Sequence, residues 1–244
     1  MPLMIASVLL AASVLIPVPA AAMHIAEGLL PLGVAAGWFA AVLPFLAAGV
    51  VVINRRKQRE PSYIPLLGIF GAAVFVFSCL PIPIPGVGVT AHPAGTGFSA
   101  ILIGPLPSVV AAFLSLLLQA LFLAHGGLTT LGANTFSMGV LGSFTGFAAF
   151  LAGRALGLNL FAAGFLAGFC ADVATYLGTS LALASGLHGG NFLEAAGAII
   201  LILSPYVAVL AVIEGVITGG ILVYVQRHRP DLLQRLRLLR EGAK

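Results

Sequence analysis

Charge is what this sequence has least of. Asp, Glu, Lys and Arg make up 7% of its 244 residues, where soluble domains carry about 25%. Hydrophobic residues make up 60%, and mean hydropathy is +1.14. That balance excludes an ordinary soluble domain and reads as a polytopic membrane protein. Cysteine is scarce too: Cys79 and Cys170 both lie inside apolar runs, so a disulfide framework has no support. No G-x-x-x-x-G-K-[ST] loop is present to cradle nucleotide phosphates, so this chain cannot hydrolyse ATP itself, and no H-E-x-x-H marks a hydrolytic zinc helix. Internal repeats and low-complexity segments are missing as well. The basic residues are not interleaved with aromatics on a soluble face, so the net charge of +4 does not point to nucleic acid. All eleven sit in three places: Arg55, Arg56, Lys57 and Arg59; then Arg154; then Arg227 through Lys244.

What is present starts with the amino end. Residues 1–22 are apolar, with a core from Leu3 to Ile16, then Pro17 and Pro19, then Ala20-Ala21-Ala22. This is the layout of a secretory signal peptide with a small-residue cleavage site, although its start carries no Lys or Arg. Cleavage after Ala22 divides the chain into a signal peptide, 1–22, and a single multi-span domain, 23–244. It makes Met23 the first mature residue and His24 the second. The free α-amine, the deprotonated His24 amide nitrogen and imidazole Nδ1 can then close two fused chelate rings on one ion. Three in-plane nitrogens favour square-planar or tetragonal Ni(II), Cu(II) or low-spin Co(II). The alternative is an uncleaved first span and an ordinary interface histidine at position 24.

The spans follow from apolar runs and basic loops. Pro31 to Ile53 is long enough to cross a bilayer and ends in Asn54-Arg55-Arg56-Lys57, so it exits into the cytoplasm and leaves Met23 outside. Pro65 to Cys79 returns outward and stops at Pro81-Ile82-Pro83-Ile84-Pro85, because repeated prolines cannot continue a helix. Four further runs cover 107–124, 135–153, 159–184 and 197–226. For the basic tail after Gln226 and for Arg154 to lie inside, residues 92–105 must also count as a short third span. The expected fold is therefore an all-α membrane protein of about seven transmembrane helices, with the mature amino end outside and the carboxyl end cytoplasmic. The short third helix follows irregular backbone, which is tolerated at membrane depth only where protein buries it or water fills a cavity. The His92 loop should then dip into a pocket open to the outside.

In this topology His24, His92, His125 and His188 fall at the outer end and His228 inside. The loop from Ala124 to Asn134 is also outside, and its glycines permit close approach. Asp172 and Glu214 lie within apolar runs, away from the histidine-rich end. Each is either a functional carboxylate or a group that pins helices together. In the first mature span, Gly33, Gly37 and Ala41, with Ala36 and Ala40 alongside, form a small-residue stripe suited to close helix packing, within this chain or with another subunit.

These residues fall into a known pattern. Met23-His24-Ile25-x-Glu27-Gly28, His92-Pro93-x-Gly95-x-Gly97 before a helix ending Gly104-Pro105, Leu123 through Asn134 (LAHGGLTTLGAN), and Ala171-Asp172-Val173-Ala174-Thr175-Tyr176 together resemble CbiM. That family comprises the cobalt-specific substrate-binding components of energy-coupling-factor (ECF) transporters. The likeness covers essentially the whole mature chain, and its nickel counterpart is NikM. The resemblance implies a metal held by the Met23 amine, the His24 amide and imidazole, and the His92 imidazole. It makes His125 and Asn134 candidates for orienting those ligands by hydrogen bonds. For His125 a role in structuring the loop stands equally, and His188 reads as part of a solvated loop. The resemblance also implies a transmembrane coupling subunit, two cytoplasmic ATPase subunits and a small companion membrane protein, in the plasma (inner) membrane of a prokaryote. Cobalt would be the transported substrate, feeding cobalamin biosynthesis.

The expected function is thus a cobalt-binding importer component and not an enzyme. The nearest alternative is a nickel component of the same transporter type. An alternative of another class is a metal-dependent membrane enzyme, which would need an open metal position and a nearby general base.

Overall fold

The computed structural model describes residues 21–22, 24–80, 82–84, 89–187 and 191–235. Met23 and His188 lie outside the described residues, as does all but the last two residues of the expected signal peptide.

Helix α1, Leu32–Arg59, starts directly after Pro31, whose φ of −55° suits a helix entrance. It runs six residues past the apolar stretch. Arg56, Lys57 and Arg59 occupy its last turn, where cations match the negative end of the helix dipole. Helix α2, Tyr63–Ser78, is followed by strand β2, Ile82–Ile84, and β3, Val89–Ala91. These two strands pair antiparallel, while β1, Ala21–Ala22, pairs parallel on the other side of β3. The fold is all-helical as expected apart from this small sheet of two- and three-residue strands. Prolines that end a helix still permit extended backbone, so Ile82-Pro83-Ile84 goes into a strand.

Helix α3, Thr96–Ile103, has eight residues, every one of them buried. Gly95 at φ +71° and Gly104 at φ +94° bound it. Pro105 then opens α4, Pro105–Phe122. Helix α5, Leu131–Ala155, begins with an α-turn, passes through π-helical turns at Thr135–Gly142 and returns to α-helix. Asn159 caps α6, Leu160–Gly186, by accepting from the Ala162 N–H at 2.8 Å. Helix α7, Phe192–His228, is the longest, and α8, Pro230–Arg235, follows it. Five of these helices, α1, α4, α5, α6 and α7, are long and apolar enough to cross a membrane. Helix α2 is a shorter apolar helix of sixteen residues.

The bundle is built around α3. Its Phe98, Ile101, Leu102 and Ile103 pack against Phe70 and Val74 of α2, Ala112 and Leu116 of α4, Met138 of α5, Ala167 of α6 and Leu222 of α7. Lipid tails are as apolar as leucine, so this tight packing, rather than escape from water, holds the helices together. Hydroxyls add polar ties: Ser99 bonds Ser108, and Ser143 donates to Ser108 at 2.9 Å, linking α3, α4 and α5.

Of the two uses open to the small-residue stripe, packing within this chain is not the one seen among the described residues. Gly33 and Gly37 are exposed, and a Cβ added at either would meet nothing among the described residues. The face of α1 that packs inward is Ala35, Val42 and Gly49, spaced by seven rather than four. At Gly49 a Cβ would stand 2.6 Å from Val110 and 2.7 Å from the Leu106 carbonyl of α4. Seven residues are two helical turns, so this set stays on one side of a straight helix.

Candidate metal centre

Three loops converge outside the helix ends. The first, His24 to Leu30, enters ahead of α1. The second, His92 to Gly95, descends into the bundle ahead of α3. The third, Leu123 to Thr130, links α4 to α5. Together they bring His24, His92 and His125 into one cluster, with one ligand nitrogen from each within 4.8 Å of the others. His24 and His92 are buried and His125 is half-buried. The His24 and His92 Nε2 atoms lie 3.1 Å apart, and the His24 and His125 ring centroids 4.9 Å apart.

Local chemistry fixes how these rings present themselves. Pro93 restricts His92 to extended backbone. The His92 Nδ1 lies 3.1 Å from the Pro93 carbonyl oxygen, which can only accept. The bond therefore places the ring proton on Nδ1 and leaves the Nε2 lone pair facing the cluster, the arrangement a metal-ligating histidine needs. Burial, and then the neighbouring His92 and His125, push His24 well below its ordinary pKa. Burial lowers His92 to about 3 and lowers His125 as well. All three stand on loops outside the spanning helices. They are neutral near pH 7, the form in which imidazole binds metal.

The His24 segment is gripped by its backbone. The Asn134 Oδ1 accepts from the Ile25 N–H at 2.8 Å, and its Nδ2 donates to the Ile25 carbonyl at 3.1 Å. The Thr130 hydroxyl donates to that carbonyl at 2.5 Å. Asn134 thus acts on the residue next to His24 rather than on a ring. Glu27 accepts from the Thr129 N–H at 3.1 Å, and hydrogen bonding from Thr129 holds its exposed carboxyl below the usual range. Gly127 makes this contact feasible: a Cβ there would stand 2.6 Å from the Glu27 nitrogen. His125 leaves the end of α4 between Ala124 at φ +49° and Gly126 at φ +81°, and its buried Nε2 has no partner among the described residues.

Two residues were not singled out for these positions by the sequence. Gln119, in the apolar run of α4, donates from Nε2 to the Ser78 hydroxyl at 2.7 Å. Its Oε1 has no donor among the described residues and lies beside the His24 ring. A lone Gln inside a hydrophobic span was the only signal available. Glu214 was placed away from the histidines, and the structure corrects that. Its carboxylate accepts from the Ala94 N–H at 2.6 Å and the Gly95 N–H at 2.8 Å, two and three residues after His92. Helix α3 is too short to span, so the loop before it descends to Glu214's level. With both oxygens taken up by these amides, Glu214 is not a free general base. Asp172 is buried on α6 as Glu214's electrostatic neighbour, and neither of its oxygens has a hydrogen-bond partner among the described residues. His228 lies exposed at the far end of α7, stacked on Tyr224.

The cluster offers three neutral nitrogen donors and no carboxylate, which suits borderline transition metals rather than magnesium or calcium. Comparison with known proteins agrees. Residues 24–232 match the CbiM profile, described as the cobalt uptake substrate-specific transmembrane region. The sequence is 48% identical over 229 residues to the cobalt transport protein CbiM of Geobacter sulfurreducens, covering 92% of this chain and 65% of that protein. It therefore spans just under two thirds of that relative's length. It is 49% identical over 219 residues to the cobalt transport protein CbiM of Sorangium cellulosum, covering 89% of this chain and 97% of that one. A crystal structure of a transition metal transporter superposes with a TM-score of 0.75 at 28% identity, over 88% of this chain and 99% of that one. These relatives are named as transporters, not enzymes. With the profile running from His24 into the last helix, this chain belongs to the CbiM family.

Proposed function

We propose that this protein is the cobalt-binding membrane component of an ATP-driven importer of the energy-coupling-factor type. The observation that carries the reading is the convergence of His24, His92 and His125 from three distant loops on one point. In the proposed mature protein, cleavage after Ala22 frees the Met23 amine. That amine, the His24 amide and Nδ1, and the His92 Nε2 hold the ion in a plane, with His125 and Asn134 orienting the ligands. Binding through Nδ1 requires the His24 ring to turn, since Nε2 faces His92 in the uncleaved chain. Cleavage also removes β1 from its place beside β3.

In this reading the chain crosses the membrane seven times, the α3 crossing being completed by the His92 loop, with His24, His92 and His125 at the outer end and the basic ends of α1, α5 and α7 in the cytoplasm, as the positive-inside rule expects. The chain works with a transmembrane coupling subunit, two cytoplasmic ATPases and a small companion membrane protein, in a prokaryotic plasma membrane, and its cobalt feeds cobalamin synthesis. Nickel, which favours the same square-planar nitrogen set, is the second reading.

The test is metal analysis of protein whose amino terminus has been read by intact mass. One cobalt per chain beginning at Met23 is expected. Tight cobalt binding by protein that retains residues 1–22 would overturn the amine ligand, and a nickel preference would replace cobalt as substrate.

A further inference from the structure

Glu214 is the buried acid whose role the metal-binding reading leaves unassigned. It is 1% exposed and lies on α7, 119 and 120 residues from the two amides it holds. A buried carboxylate is retained when it is fully hydrogen-bonded. Here both oxygens are taken by consecutive N–H groups at the start of α3, where a negative charge also complements the helix dipole. The path from those amides to the His92 ring is short and stiff. Pro93 fixes its own φ and restricts the residue before it. The His92 ring is then locked to the Pro93 carbonyl. Each step leaves little freedom, so displacing Ala94 displaces the imidazole. Among the described residues the outer face of α7 meets no other helix: Leu201, Ile202, Val209, Val212 and Val216 are exposed.

We propose that Glu214 is the positioning residue for His92: by holding the Ala94 and Gly95 N–H groups it ties α7 to the metal-binding loop, so retention of the ion depends on where α7 sits. This rests on the metal-site reading above. A helix with one face on the loop and the other open to neighbours can pass a displacement made in the membrane to a ligand of the ion.

The test compares Glu214→Asp, Glu214→Gln and wild type in purified full-length protein loaded with Co(II) or Ni(II). Asp keeps the charge but is one methylene too short to hold both amides. Gln keeps the length but sets an N–H group against an N–H donor. Both should lower affinity by about 10- to 100-fold, the loss typical when a partner of a metal ligand is removed. Both should also shift the ligand-field spectrum toward that of His92→Ala at unchanged helix content. Wild-type affinity and spectrum in Glu214→Asp, with loss only in Glu214→Gln, would mean that charge alone matters and would overturn the proposal. A variant that fails to fold is bypassed by hydrogen exchange on the wild-type protein. The Ala94 and Gly95 amides should be strongly protected, and exchange as fast as at exposed Leu128 would also overturn it. Failure of the wild type to bind metal would instead count against the functional reading, and the exchange result would still decide the tether.

Discussion

The two ends of α3 are held by the same kind of contact and differ in what depends on it. At the amino end one carboxylate from α7 serves two N–H donors. At the carboxyl end two donors from two helices share one acceptor. Arg56 of α1 and Tyr63 of α2 both donate to the Ile103 carbonyl, at 2.7 and 2.9 Å, and Arg56 lies over the Tyr63 ring. Each end carries the charge that its helix dipole favours. Losing Glu214 strands both amides, and these sit beside a candidate ligand. Losing Arg56 leaves Tyr63 in place, and nothing of the histidine cluster lies at that end. On the proposed reading the amino end therefore bears on binding, whereas the carboxyl end bears on stability.

The strongest way to break this contrast is to remove the ligand that the amino end carries. His92→Ala should lower metal affinity by more than the about 100-fold typical of losing an orienting partner, with helix content unchanged. Equilibrium titration at wild-type affinity would remove His92 from the site.

Acid tests the same end without a mutation. Below the amine's ordinary pKa of about 8, the amine and the amide each regain a proton when the ion leaves. His24 and His92 are held well below 6.5 and stay neutral. Affinity should therefore fall by about 100-fold per pH unit between pH 7 and 5, two protons per ion. A competition titration showing a slope near one would argue against amide ligation. A slope steepening toward four below pH 6.5 would mean that the imidazoles titrate as free histidine. The sign for stability follows from the same lowering. Below pH 6.5 the unfolded chain binds protons that the folded loops refuse, so the metal-free protein loses stability on acidification.

Asn134→Ala should weaken binding by about 10- to 100-fold, because it strands the Ile25 N–H next to His24. Retention of full affinity would show that Thr130 alone fixes that segment. Arg56→Ala should leave affinity within about twofold, as expected for a distant site. It should destabilise the protein by about 1.5 kcal/mol, read as a lower thermal midpoint in detergent. A large loss of affinity there would erase the distinction between the two ends.

Much of this was legible in the sequence because it depends on local pattern. The apolar runs gave the long helices, and Pro93, Gly95 and Gly104 marked a short helix after a broken loop. His24, His92 and the loop to Asn134 stood out as polar groups in an apolar chain. Gln119 did not, and Glu214 stood out as an acid inside an apolar run but not for its place beside the His92 loop, since their partners are set by how helices register against loops, and no spacing encodes that. The four-residue stripe of α1 did not reveal the face that packs within this chain, which is Ala35, Val42 and Gly49. The Ile82–Ile84 strand was hidden by prolines that read only as helix breakers.

The brevity of α3 has an electrical consequence. Eight residues rise about 12 Å, against a hydrocarbon core of about 30 Å. In the orientation proposed above, the outer remainder is crossed by the loop that carries His92. A divalent cation reaching that imidazole has already moved part of the way through the membrane's field. Over the full thickness each elementary charge gains about 2.3 kcal/mol per 100 mV, interior negative, and the bound ion takes the share set by its depth. Occupancy in sealed vesicles should therefore rise as the interior is made more negative, and occupancy indifferent to voltage would place the site at the surface. The cell's resting potential would then help to concentrate the ion before any ATP is spent.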